Sequence, residues 1–351
     1  MRLSTFILFF VFASLLFTQD NSEVYEDSLD TEFVCSEKSL NIPLPTVGFS
    51  LGNSKNFNGI RINYSDCGVG LINGLNITFW KSNNFEDQVV NGISLGLIPM
   101  SGSLRGFSFG LGGLITSKSM IGFNFGGLAL VSQEGIAGIN ISGLASVSQY
   151  RITGINISGM ANVSQENIVG FNFAGLANVS QAKMIGLNIS GLANVSQDYL
   201  LGFNFGGLAN VSQTALLGIN ISGLANVAKE NLNGFNLALL ANVCNEGSIS
   251  GLSFTLGKIF AEQEIKGVNF AGYKTDSQEF SGINITPVWT EVENLSGFSF
   301  SLYNEIYGRQ NGISIGLVNY AEELHGIQIG LINIAKNKSS LRILPIFNAN
   351  L

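Results

Sequence analysis

From Gly122 the sequence returns to one pattern every sixteen residues: GFNFGGLALVSQEGIA, GINISGLASVSQYRIT, GINISGMANVSQENIV, GFNFAGLANVSQAKMI, GLNISGLANVSQDYLL, GFNFGGLANVSQTALL, GINISGLANVAKENLN. The glycines at 122, 138, 154, 170, 186, 202 and 218 open these copies. Weaker copies reach back through Gly106 and Gly92 to Gly74 and Gly59, and forward to Gly326, with spacings that drift by a residue or two. A unit this short cannot enclose a core of its own. It must bury its inner side against the next copy, which predicts one repeat array over residues 45–351 rather than several globular domains.

Counting places from the opening glycine, each unit reads as strand, bend, strand, turn. In the copy at Gly170, Phe171 and Phe173 flank Asn172, the period-two alternation of a strand. Ala174-Gly175 supplies a bend, Leu176 to Val179 resumes an extended run, and Ser180 to Lys183 has turn character. Glycine is too frequent for helix, and no stretch carries a 3.6-residue apolar period. The chain is therefore expected to be all-β. Between Gly122 and Ala228 the charged residues are Glu134, Arg151, Glu166, Lys183 and Asp198, all at place thirteen or fourteen, so that turn faces water.

Two architectures satisfy this pattern. In a β-solenoid each unit is one coil, and equal places stack about 4.8 Å apart. Phe or Ile at places two and four, Leu at seven, and the apolar pair at fifteen and sixteen are then expected to fill the interior. Asn at places three and nine is expected to form amide ladders along the stack. The alternative is an up-and-down outer-membrane β-barrel of about 20 strands, such as a channel. It would turn Phe171, Phe173, Gly175, Ala177 and Val179 to lipid, and Gly170, Asn172, Ala174, Leu176, Asn178 and Ser180 to the lumen. A mean hydropathy of +0.32 and 12% charged residues, about half the usual share, suit the barrel. Uniformly short connections, and one sequence shared by every unit, suit the solenoid, which is the favoured reading.

Chemistry-bearing groups are scarce. One His and three Cys in 351 residues leave little for a metal centre or a nucleophile–base pair. No catalytic, cofactor-binding or metal residue is assigned, no cofactor is implied, and the chain is not expected to be an enzyme. The net charge of −7 comes without a basic patch, which excludes nucleic acid as a partner. His325 reads as a solvated turn residue. The carboxylate pairs Glu291/Glu293 and Glu322/Glu323 flank turns, with nothing to position them. Gly106 to Gly110 lacks the Lys and helix that a phosphate loop needs. The Asn-x-Ser triplets at Asn140, Asn156, Asn162, Asn178, Asn188, Asn194, Asn210 and Asn220 read as a by-product of the repeat rather than glycan acceptors. Cys35, Cys67 and Cys244 are expected to give one disulfide and one buried thiol, the pairing left open.

The N-terminus is of a different kind. Arg2 followed by the twelve apolar residues Phe6 to Phe17 has the form of an export signal, taken as residues 1–19. Residues 20–44 follow as an acidic, flexible lead-in, with six acids between Asp20 and Glu32.

The C-terminal units NGISIGLVNYAEELHGIQIGLINIAKN (311–337) carry the pattern G-φ-[QN]-φ-G-L-φ-N, with φ apolar, clearest in Gly326-Ile327-Gln328-Ile329-Gly330-Leu331-Ile332-Asn333. With NGLNITFW (73–80) and the closing ILPIFNANL, they resemble a family of uncharacterised bacterial exported surface repeat proteins. The resemblance implies export and a place at the cell surface or outer membrane, as scaffold, adhesin or envelope component. It implies no activity. Many family members end in an aromatic residue, whereas this chain ends in Leu351.

Overall fold

The computed structural model describes Cys35 and residues 38–350; the expected signal and most of the acidic lead-in lie outside the described residues. Among the described residues there is no helix. The chain forms a β-solenoid of about 17 turns. In the regular middle each coil holds one long strand and one short one, such as Asn167–Ala174 and Ala177–Ser180. Long strands pair in parallel with long strands one coil away, and short with short. The register is set by the repeat itself: Gly154 faces Gly170, which faces Gly186, and so on without slippage through these coils. Corners are bonded the same way, with Leu176 N donating to Met160 O at 2.8 Å and Gln181 N to Ser164 O at 3.0 Å. The backbone polar groups are thus satisfied from coil to coil around the whole circuit.

This parallel pairing excludes the barrel, whose consecutive strands would run antiparallel. The bend at Gly175-Leu176 ends each long strand, and the chain comes back in the same direction sixteen residues later.

The interior differs from expectation. Places two, four, seven and sixteen point outward: Phe173 is 40% exposed and Leu176 40%. Inside are Asn at places three and nine, small residues at five, Ser at eleven and one aliphatic column at fifteen, including Ile152, Ile168, Met184, Leu200 and Leu216. The cause is strand alternation. If the place-three Asn is inside, the flanking Phe or Ile must be outside. The barrel reading had these sides the right way round for Phe171, Phe173, Ala177 and Val179, and only Leu176 misplaced; the solenoid reading had the connectivity.

Narrowness explains why Asn won. Asn178 Nδ2, on the short strand, donates to Ile189 O of the long strand in the next coil at 3.0 Å. Two sheets that close leave room for an amide or a hydroxyl, not for paired rings. The opening glycine is part of the same fit: Gly170 has φ of +116°, and a Cβ there would stand 2.1 Å from Gly154 O.

Amides run as two ladders. Asn156, Asn172, Asn188 and Asn204 pass hydrogen bonds Nδ2 to Oδ1 at 2.7–2.8 Å, and Asn162, Asn178, Asn194 and Asn210 do so at 2.9 Å. The Asn of each of the eight repeat triplets from Asn140 to Asn220 is fully buried, so the folded coils offer none of these to a glycan. Outside, the aromatic columns also stack, with Phe107 and Phe123 centroids 5.0 Å apart.

Both ends are closed by a single antiparallel strand. Ser39–Leu44 covers Val47–Gly52, and Ile343–Asn350 covers the strand ending at Ala335. The first described strand therefore begins within the stretch read as lead-in. Each cap carries a proline, Pro43 or Pro345, which cannot donate to a further strand.

Candidate functional site

Along the middle coils the outward places of the short strand are Ala and Val, as in Ala177 and Val179. From Lys258 onward the same two columns change character. Register brings Lys258, Lys274, Trp289 and Tyr303 into one column, and Phe260, Asp276, Glu291, Glu305 and Tyr320 into the next. The spacing drifts here, but each strand keeps its alternation, so chemistry replaces Ala and Val at equal places.

These side chains hold one another in position. Lys258 Nζ lies 2.8 Å from Asp276 Oδ2, and Lys274 Nζ lies 3.2 Å from the same oxygen while also pairing with Glu291. The Lys274 ammonium stands 4.0 Å from the Trp289 ring centroid. Trp289 stacks on Tyr303 at 6.2 Å and donates from Nε1 to Glu305 at 3.2 Å. Burial pulls the Lys274 ammonium down, but the hydrogen bonds it donates to Glu291 and Asp276 outweigh this and hold the pKa above the usual lysine value. Burial, with the Glu305 carboxylate beside them, pushes Tyr303 and Tyr307 up to about 12.

Beside the columns lies a shallow depression of about 450 Å³, lined by Phe260, Glu262, Asp276, Glu291, Glu293 and Tyr307 among others. Across Tyr307 a second, of about 540 Å³, is lined by Glu279, Asn294, Arg309, Glu322 and Glu323 among others. Rigid strands thus present the exposed Tyr307 ring, carboxylates and amides to solvent, while the two faces of Trp289 are taken up by Lys274 and Tyr303. That set can stack on an apolar sugar face and accept hydrogen bonds from hydroxyls. Asp276 and Glu291 are both engaged by Lys274, and Glu322 by Lys336 at 2.8 Å. Among the described residues no group of three His, Cys, Asp or Glu side chains is arranged to hold a metal ion.

His325 is exposed as expected, but it lies in the strand Val318–Ala335 opposite Asn311 rather than in a turn. Cys35 and Cys67 are disulfide-bonded. Cys244 is a buried free thiol at place eleven, the place of Ser212. Sequence reasoning passed over Lys274, Asp276, Trp289 and Tyr303. Their signal was available: charge and aromatics at places that hold Ala and Val in the middle copies.

A second polar cluster lies near the N-terminal end and is internal. Arg61 occupies place three, an Asn place elsewhere, and its Nη1 meets Asp66 Oδ1 at 2.6 Å and Asn76 Oδ1 at 2.8 Å. Both partners of the ion pair are buried. Burial alone would raise the Asp66 carboxyl, but Arg61 and the Asn63 and Asn76 amides hold it below the ordinary carboxylate range. This cluster is structural.

No family model, curated protein or solved structure matches the chain.

Proposed function

We propose that this is a non-catalytic, exported repeat protein of the cell surface or outer membrane, a scaffold whose C-terminal coils act as an adhesin. The observation that carries the adhesive part is the ordered strip of Lys274, Trp289, Tyr303 and Glu291 on an otherwise plain Ala/Val face. Carboxylates, amides and the exposed Tyr307 ring beside that strip suit a glycan ligand, bound without being cleaved. Export is supported by the N-terminal apolar run and by the disulfide-bonded Cys35 and Cys67, since such bonds persist in oxidising compartments. A rigid stack that shows its C-terminal coils at a distance suits a scaffold.

Two measurements test this. Fractionation with protease shaving of whole cells should find the chain at the surface; recovery from the cytosol would overturn the localisation. On an array of surface polysaccharides and host glycans, the purified chain should bind a ligand that Trp289→Ala with Tyr303→Ala loses at least tenfold. Binding that survives this pair unchanged would remove the strip from the function.

A further inference from the structure

The ladders are internal and the strip is on the short face, which leaves the long face without a role. Its outward places two and four are Phe, Ile, Leu or Val in every coil, from Phe49 and Leu51 to Ile327 and Ile329. No charge or hydrogen-bonding side chain interrupts these two columns. Representative members stay open to solvent: Ile60 is 45% exposed, Phe205 40% and Phe300 46%. Over about 17 turns the strip is roughly 80 Å long at ~4.8 Å per coil. Two columns about 7 Å apart with their side-chain girth give a width of about 13 Å, hence on the order of 1,000 Å². The largest apolar patch of an ordinary monomer is about 300–600 Å².

We infer that the long face pairs with the long face of a second copy of this chain. The area exceeds the roughly 800 Å² per partner that a stable complex buries. Geometry points to a copy rather than an unrelated protein. The side chains form a lattice with the strand repeat in one direction and the two-residue repeat in the other, and another such face has the same spacings. Facing sheets of this kind pack about 10 Å apart. Relief also fits: the Phe171/Phe173 and Phe203/Phe205 pairs flank the smaller Leu187/Ile189 pair, giving ridges and hollows that interdigitate. End-to-end growth is obstructed by the proline-bearing caps, so lateral pairing about a two-fold axis closes at a dimer. An anionic lipid surface is the less suited occupant, because the chain carries −7 overall and its turn edge mixes both signs.

Sedimentation velocity on the purified mature chain should give twice the monomer mass at micromolar concentration. Phe173→Glu with Phe205→Glu, on the face, should halve that mass and leave the strand signal in circular dichroism intact, since both side chains are exposed. Leu176→Glu with Leu208→Glu, at the corner, should leave the dimer. Gly202 opens a coil near the middle of the strip, so Phe205→Cys should cross-link to its own copy with a short bismaleimide. A monomeric wild type would overturn the proposal. So would a corner variant that dissociates like the face variant, a dimer that Phe205→Cys fails to link, or a monomer that floats with phosphatidylcholine vesicles.

Discussion

Asn172 donates its side-chain amide to Oδ1 of Asn188 at 2.8 Å, so residues sixteen apart in sequence meet one coil apart in space. Each interior member of the ladder is donor to the next copy and acceptor from the one before. The bond is cheap to extend and costly to interrupt, because a buried amide left without a partner loses about 1–3 kcal/mol.

Asn178→Leu is therefore expected to destabilise the fold by at least about 2 kcal/mol. Asn162 Nδ2 would lose its acceptor and Asn194 Oδ1 its donor. Gln181→Ala, on the exposed turn of the same coil, should stay within about 0.5 kcal/mol. Urea titration of both variants compares them directly; equal stabilities would mean that the ladder contributes nothing.

Removing one whole coil should be tolerated. Deleting Gly186 to Leu201 brings Gly170 against Gly202 in unchanged register, and shortens the stack by about 4.8 Å. Deleting two coils, Gly186 to Leu217, should give the same yield of folded protein. Loss of the one-coil deletion alone would contradict parallel stacking.

Cys244 should be inert in the folded chain. Burial pushes its thiol from 9.0 up to about 11, so thiolate is scarce at pH 8, and alkylation should proceed only after denaturation. The folded pKa is the higher one. The resulting stability is present below pH 9 and fades as pH rises toward 11. Rapid labelling of the native protein at pH 8 would refute the buried assignment.

The Arg61–Asp66 pair gives the opposite pH dependence. Asp66 is held below its ordinary value when folded, so its contribution is present above about pH 4 and is lost on further acidification. Asp66→Ala leaves a buried guanidinium without its counter-charge and should cost about 3–5 kcal/mol. Replacing both partners, Arg61→Met with Asp66→Leu, should recover much of that loss. Thermal melts at pH 7 distinguish the two variants, and a mild single variant would show that Asp66 is not required.

Much of the architecture is legible in the residues. Period sixteen with glycine at a fixed place marks a single repeat array and favours stacked coils over an antiparallel barrel, and charge confined to places thirteen and fourteen marks the wet turn. Asn at two fixed places foretells the ladders. Alternation also states that Phe171 and Phe173 share one side while Asn172 takes the other. It does not state which side is inside, because a period of two is unchanged when the strand is turned over. Only the closeness of the two sheets decided that. With Asn178 reaching Ile189 O at 3.0 Å, the interior admits amides and hydroxyls and sends the rings outward. The strip joining Lys274 to Trp289 and Tyr303 likewise waited on the fold, since its residues become neighbours only once the drifting copies are brought into register.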